Sequence, residues 1–445
     1  MTAIKVKRGW VSMIILNALL LSLPYSGVLA TGEIPPVEDV IAGKAKLPTI
    51  EDMTGGKVKP GDVIDKNNVD LVKEYLSAVA YESVKHGMVL RMTTLNLPPD
   101  KLLSKYFIEA TERNRGKAVI DENGTVYYEK MGVLWPGGLP FTEPETGLQV
   151  MANVKYGRVW DDIHFNPNII EFINPAGRAY KTTIMEQRYI QCTTRSKLPP
   201  LGMIPGFEDV LWKRISVLTN PLEVKGLGQY TVRYYDDAKH HDTGFAYLPS
   251  FKRTIRISAS TWQDNIAGSD LTYGDGFGFQ EPYSYWDFKL IGTKYMLQTW
   301  EPEASVHLFD EQRRINEMLT FDVNKKFVRF GWVITPLHVV EAIPRSKHLY
   351  GKKILYINTW PYWPSHSPIA IGEFYDRQMK LWKAWITGKN VEYFFEGDTT
   401  RAHAVGHVYD LQVGHMTHFW TLMELNQVNY KPKDITLKTL LEVGR

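Results

Sequence analysis

Cysteine is almost missing from this sequence: Cys192 stands alone among 445 residues. One thiol excludes an internal disulfide, a zinc ribbon and an iron–sulfur cluster. With no recognisable histidine partner motif, Cys192 is also a poor nucleophile candidate. An excess of one charge is missing too, since 52 Lys+Arg face 49 Asp+Glu for a net charge of +3. That balance argues against a nucleic-acid binder, which carries a strong basic excess. Beyond residue 30 no run has the length and apolarity of a transmembrane helix. Catalytic signatures are absent as well: no G-x-S-x-G elbow, no H-E-x-x-H helix and no Walker-type phosphate loop. Gly274, Gly276 and Gly278 alternate with Asp275, Phe277 and Phe279, without the strand–turn–helix frame of a dinucleotide loop. Asp264, Asp270 and Asp275 miss the EF-hand spacing and read as solvated turn carboxylates. No metal and no cofactor is expected.

What is present is a folded chain with a surplus of aromatics. Hydrophobic residues make up 44% and charged ones 23%, which excludes general disorder. Aromatics reach 12% and favour pleated, half-buried surfaces and apolar binding sites. The N-terminus has the layout of a Sec signal peptide: Lys5, Lys7 and Arg8, then an apolar run from Val11 to Leu23, then Val28-Leu29-Ala30. An uncleaved anchor is the alternative, but the run is short for a span of about 20 residues. Losing residues 1–30 removes three positive charges and leaves the mature chain formally neutral. No cysteine lies at the cleavage site, so the expected product is a periplasmic protein and not a lipoprotein.

Residues 31–67, rich in Pro, Gly and charge, predict an extended arm, and residues 68–445 a single β-rich domain. Asn68 can cap a short helix through Leu71 and Tyr75. Pro98-Pro99 open a helix carrying Leu102, Leu103, Tyr106, Phe107 and Ala110, with Gly116 as its stop. Asn123-Gly124 predicts a hairpin between Ala118–Asp121 and Thr125–Glu129. From about residue 147 the dominant period is two. It runs through Tyr230, Val232 and Tyr234, through Arg253, Ile255 and Ile257, through Val328, Phe330, Trp332 and Ile334, and through Lys353, Leu355 and Ile357. No strand–helix–strand rhythm appears, so the prediction is α+β, mainly β, with one large curved antiparallel sheet and few helices. Asp434 is expected to cap a closing helix with Leu437, Leu440 and Leu441.

Several strands carry large apolar residues on both faces. The surplus either packs against helices or lines a cavity. Tyr230, Val232, Tyr234, Phe330 and Trp332 are the cavity candidates. Four histidines, His403, His407, His415 and His418, fall within sixteen residues. The segment reads as strand, where residues four apart are separated by about 13 Å, so a shared metal ion is disfavoured. His240-His241 reads as a solvated turn. Arg253 shares a face with Ile255 and Ile257 and needs a partner, which Asp270 or Asp376 can supply. A brace for the sheet is favoured over a clamp for an anionic ligand.

A set of motifs carries a family resemblance. These are Gly138-Leu139-Pro140-Phe141, then Tyr247 to Arg256 with Pro249 and Arg253, then Asp270 after Gly268, Tyr350 to Tyr356, and Tyr375-Asp376-Arg377 through Trp382. In this order they resemble the Gram-negative family known as domain of unknown function 1329, labelled as outer-membrane lipoprotein-sorting-like. Lys252 stands where that family's motif has the first of two arginines. The resemblance implies a fold similar to Lol-type carriers, an incomplete antiparallel barrel with helices over its open side. It also implies a resistance–nodulation–division-type permease and an outer-membrane β-barrel as partners, and no catalytic residues. The expected function is periplasmic binding or carriage of a hydrophobic molecule such as a lipid. The alternatives are a periplasmic hydrolase, with a site among Asp376, Arg377 and His403–His418, or a scaffold of an envelope complex. Phe141 is expected to be a buried anchor behind Pro140. N-terminal sequencing of exported protein is expected to begin at Thr31; residues upstream of the apolar run would refute cleavage.

Overall fold

Alternating β-branched and aromatic residues favour extended chain that buries its side chains on a pleated surface. Strands accordingly dominate the computed structural model, which describes residues 34–35, 39–40, 44–95, 104–257, 262–266, 268–302, 327–360, 368–391 and 400–443. The signal segment and the Pro98–Leu103 helix start lie outside the described residues. In chain order the strands are β1 (Val63–Ile64), β2 (Leu90–Met92), β3 (Ala118–Ile120), β4 (Val126–Tyr128), β5 (Asp162–Ile173) and β6 (Ala179–Gln191). There follow β7 (Thr193–Arg195), β8 (Gly202–Met203), β9 (Val210–Asn220), β10 (Gly228–Tyr234), β11 (Thr243–Leu248) and β12 (Arg253–Ile257). The last are β13 (Trp286–Pro302), β14 (Phe330–Pro344), β15 (Lys352–Asn358), β16 (Ile369–Tyr375), β17 (Leu381–Val391), β18 (Thr400–Asp410) and β19 (Met416–Leu425). The α-helices are α1 (Ile50–Thr54), α2 (Ala78–Lys85), α3 (Lys105–Asn114), α4 (Gly147–Tyr156) and α5 (Leu437–Val443).

Fifteen strands make one sheet in the order β1-β2-β14-β15-β16-β17-β18-β19-β5-β6-β9-β10-β11-β12, with β13 along the other side of β14. The expected large sheet with few helices is present and does not close. It departs from the expectation in one pair: β2 runs parallel to β14, Leu90 opposite Phe330 and Met92 opposite Trp332, which makes the sheet mixed. Curvature brings non-neighbouring strands together. The Thr299 hydroxyl of β13 donates to the Thr387 carbonyl of β17, although β14, β15 and β16 separate them in the sheet.

Both faces are covered, which explains why the strands are apolar on both sides. On one face α4 lies over β13 and β14 and buries Val150, Met151 and Val154 in the cluster that also holds Trp212, Leu355 and Trp385. On the other, residues 50–92 pack Val72, Val79 and Val84 on Trp332, Ile371 and Ile386. Further along that face α5 seats Leu440 against Ile215, Val217 and Val232. Helix α5 is capped by Thr436, whose Oγ1 accepts from the Thr439 N–H at 3.1 Å. Asp434 instead closes the preceding turn on Lys431, so the expected cap lies one turn too early. Asn68 makes no side-chain cap, and Val69–Tyr75 is a 3-10 helix. The β3–β4 hairpin forms as expected, with Gly124 at φ +84°.

His407 is fully buried on β18, its ring beside those of Phe327 and Phe330, and neither ring nitrogen has a hydrogen-bond partner. Burial, followed by the charge of nearby His418, pushes its pKa down to about 3. Burial likewise takes His338 to about 4. The unfolded chain therefore binds these protons first. Stability is intact above the ordinary histidine range and falls as pH drops toward these values, by up to about 1.4 kcal/mol per unit for one group. Thermal melts of His407→Leu between pH 7 and 4 are expected to show a flatter pH slope than the wild type. An unchanged slope would contradict this assignment.

Candidate functional site

Strict alternation aims every second residue of neighbouring strands at the α4 face of the sheet. On β5, β6 and β9 these are Phe165, Ile170, Met185, Tyr189, Arg214 and Ser216; Ala246 joins them from β11. Trp385 of β17, Ala404 of β18 and Phe419 of β19 close the far side. Between them lies a half-enclosed, mostly apolar cavity of ≈ 290 Å³. Its roof is Ile266 with the segment 268–280, which carries Leu271, Tyr273 and Phe277 over the sheet. Arg214 is the one charged side chain lining the cavity among the described residues.

The roof is held by charges that are themselves buried. Asp275, fully buried, takes the Lys353 ammonium at 2.9 Å, the Tyr350 hydroxyl at 2.8 Å, and the backbone N–H and hydroxyl of Thr272 at 2.8 Å. Burial raises the Asp275 pKa while the Lys353 and Lys383 ammonium groups lower it; the cations prevail and it stays below the ordinary carboxylate value. Glu281 lies 3.5 Å from Lys353 and bonds His348 at 3.0 Å. Lys383 donates to the Asp270 carbonyl at 2.6 Å. Asp270 itself bonds Nδ1 of His415 at 2.6 Å and the Thr417 hydroxyl at 2.8 Å. At the roof's end, Arg233 of β10 donates to the Gln280 carbonyl at 2.8 Å. Arg233 also pairs with Asp242 at 2.7 Å, and Lys155 of α4 with Asp237 at 2.8 Å. Phe277, between these anchors, has φ +52°, an uncommon conformation for a large side chain, and its ring meets Phe165 and Tyr189.

Comparison with known sequences decides the family. The profile described as protein of unknown function (DUF1329) matches residues 63–439. The chain belongs to this family. No curated protein matches it. Among solved structures, similarity extends to a domain named for outer membrane lipoprotein sorting from Vibrio parahaemolyticus, at 19% identity and TM-score 0.43, covering 66% of this chain and 98% of that one. A DUF1329 protein from Desulfovibrio piger is similar at 14% identity and TM-score 0.40, over 63% and 92%. A LolA superfamily protein from Nitrosomonas europaea is similar at 13% identity and TM-score 0.36, over 66% and 100%.

In this DUF1329 chain the five cavity candidates do not line the cavity. Tyr230, Val232 and Tyr234 point to the opposite face of β10 and pack in the cluster under α5. Phe330 and Trp332, both fully buried, belong to the cluster beneath residues 50–92. The alternation was sound; the opposite parity of β10, Gln229, faces the cavity. Among the motif residues, Gly138 sits at φ +78° with its backbone against Thr111 of α3, where a Cβ has no room. Pro140 is buried beside it, while Phe141 is only half-buried and is no full anchor. The Phe141 backbone instead exchanges two hydrogen bonds with Asn153 of α4, at 2.9 and 2.7 Å. The motif is thus a joint between α3 and α4.

Arg253 and Arg256 are exposed on edge strand β12, so Arg253 is not the buried brace expected of it. Its proposed partners are engaged elsewhere, Asp270 with His415 and Asp376 with Gln412 at 2.9 Å. Tyr247 packs at the margin of the α5 cluster, and Pro249 opens a 3-10 turn. Tyr375 donates to Glu373 at 2.6 Å, Asp376 ties the β16–β17 turn, and Arg377 is exposed. His407 and His418 pair across β18 and β19 and are fully buried. His415 sits at a turn beside Tyr180, and the His403 side chain lies outside the described residues. Asp275 and Asp270 are buried and bonded, so they are not solvated turn carboxylates.

Two features escaped the periodicity. Helix α4 falls where strand was expected, though Thr146 and Gln149 form a capping box that signals it. In the sequence Lys353 stands only as a member of an alternating strand face. Removing it strands a buried carboxylate, so Lys353→Met is expected to cost about 3–5 kcal/mol in urea unfolding, with partial recovery in the Lys353→Met/Asp275→Leu double variant. A loss below about 1 kcal/mol would show that the roof does not depend on this pair.

Proposed function

We propose that this protein is a periplasmic binding protein or carrier for a hydrophobic molecule, acting by burial and not by bond chemistry. The observation that carries the reading is the half-enclosed, mostly apolar cavity under a pinned roof. Its volume, ≈ 290 Å³, lies just below the range of about 300–1,000 Å³ usual for ligand sites. That size suits one chain or ring system better than a multi-chain lipid. Each methylene buried there contributes about 0.8 kcal/mol, so a dry groove supplies affinity without a directed bond. The signal-peptide layout of residues 5–30 supports export.

The hydrolase alternative gains no support from the geometry. Asp376 bonds its own turn and Gln412, and none of its bonds reaches a histidine. His407 is buried against phenylalanines on the face away from the cavity. Two substitutions separate cavity from core. Ala246→Trp points into the cavity and is expected to abolish uptake of the neutral probe N-phenyl-1-naphthylamine while leaving the melting temperature nearly unchanged. Val232→Trp points under α5 and is expected to overpack the core by about 1–3 kcal/mol while leaving probe uptake in place. Undiminished uptake by Ala246→Trp would sink the assignment. Native mass spectrometry of protein purified without delipidation is expected to retain a copurified hydrophobe.

A further inference from the structure

Among the described residues, buried cations are satisfied by carboxylates or, for Arg195, Lys213 and Lys383, by backbone carbonyls. Half-buried Arg214 in the cavity wall and buried Arg158 beside the roof have neither. Lys155, Arg233 and Lys353 have carboxylate oxygens at 2.8, 2.7 and 2.9 Å. Arg214 has none within ion-pair distance. Its Nη1 donates to the Tyr189 hydroxyl at 3.2 Å, and its Nη2 to Gln229 Oε1 and Thr231 Oγ1, both at 3.3 Å. Its Nε is buried with no partner. Arg158, only 8% exposed, also lacks a carboxylate. Its Nε and Nη1 have no hydrogen-bond partner, and its guanidinium lies 5.3 Å from the ring of Phe277, a roof residue of the cavity. A guanidinium in an apolar site is costly unless an anion completes it.

We propose that the bound molecule is a single-chain amphiphile with an acidic headgroup, and that Arg214 binds that headgroup. The inference rests on the hydrophobe-binding reading above and gives the ligand its polar end. Arg214 projects from β9 between Tyr189 and Trp212, its guanidinium 5.7 and 5.8 Å from the two rings. The two rings hold the guanidinium at the cavity wall, where its Nε lacks a partner. Its Nη bonds of 3.2–3.3 Å are to neutral groups that a carboxylate or phosphate oxygen can replace. Gln187 and Gln229, both at the cavity wall, supply amide groups beside it. The apolar tail then lies against Ile170, Trp385 and Phe419. No carboxylate lines the cavity among the described residues, so nothing there repels an anionic headgroup.

The test is displacement of N-phenyl-1-naphthylamine by laurate, methyl laurate and dodecyl phosphate, all below micelle-forming concentrations. On the wild type, laurate is expected to displace the probe at about tenfold lower concentration than methyl laurate, the size of one charge-assisted hydrogen-bonded contact. Dodecyl phosphate reports which acidic headgroup the fork prefers. In Arg214→Met, laurate and methyl laurate are expected to become equivalent while uptake of the neutral probe persists. Arg214→Lys, which keeps the charge and loses the fork, is expected to fall between them. Thermal melts of both variants check folding. Equal displacement by acid and ester on the wild type overturns the proposal, as does an acid preference that survives in Arg214→Met. Calorimetric titration of laurate without probe separates the two readings. Laurate binding that depends on Arg214 without any probe uptake refutes only the neutral-hydrophobe reading. Absence of both overturns both.

Discussion

The Asp275–Lys353 ion pair is the contact on which the cavity depends. Both side chains are fully buried, and a buried pair survives only when good geometry and further hydrogen bonds offset desolvation. Tyr350, Thr272 and Glu281 supply those further contacts. The pair joins the roof segment to β15, two strands in from the β13 edge of the sheet. Because breaking it leaves a charge in the core, the roof has a steep cost for lifting at that point. Between its anchors at Asp270, Asp275 and Gln280 the roof presents Phe277 to the cavity. The result is a rigid frame with one strained aromatic at its centre.

The rest of the sheet follows from having two dry faces. A sheet covered on one side needs one apolar parity, and this one uses both: α4 takes one parity, residues 50–92 and α5 the other. Packing therefore consumes most of the aromatic surplus. The cavity occupies the part of the α4 face that α4 itself does not reach, over β5, β6 and β9.

Much of this was legible in the residues. Period two named the strands and their faces, Asn123-Gly124 named a hairpin, and the ordered motifs named the family. Parity shows which residues share a face; it does not show which face a helix will cover. Tyr230 and Trp332 went to covered faces for that reason. Side-chain size favoured them as cavity walls, yet large rings are equally what a tight core consumes. Arg214 passed unnoticed because an arginine within a strand pattern reads as the solvated parity, and its lack of a partner is a fact of three-dimensional packing. Lys353 passed for the same reason, since Asp275 lies far from it in sequence.

The pairing of β5 with β19 has a kinetic consequence. Residues 162–173 pair with the adjacent β6 on one side but on the other only with residues 416–425, and β2, beside the local β1, pairs on its other side with the distant β14. The middle of the sheet is thus sealed by the final strand to be synthesised. Such non-local pairings require closing large loops before any contact repays the lost entropy, so the chain belongs to the slow-folding topologies. Nascent chain that has not yet reached Leu425 has no way to join the two halves of its sheet, and the cavity wall contributed by Phe419 arrives last of all.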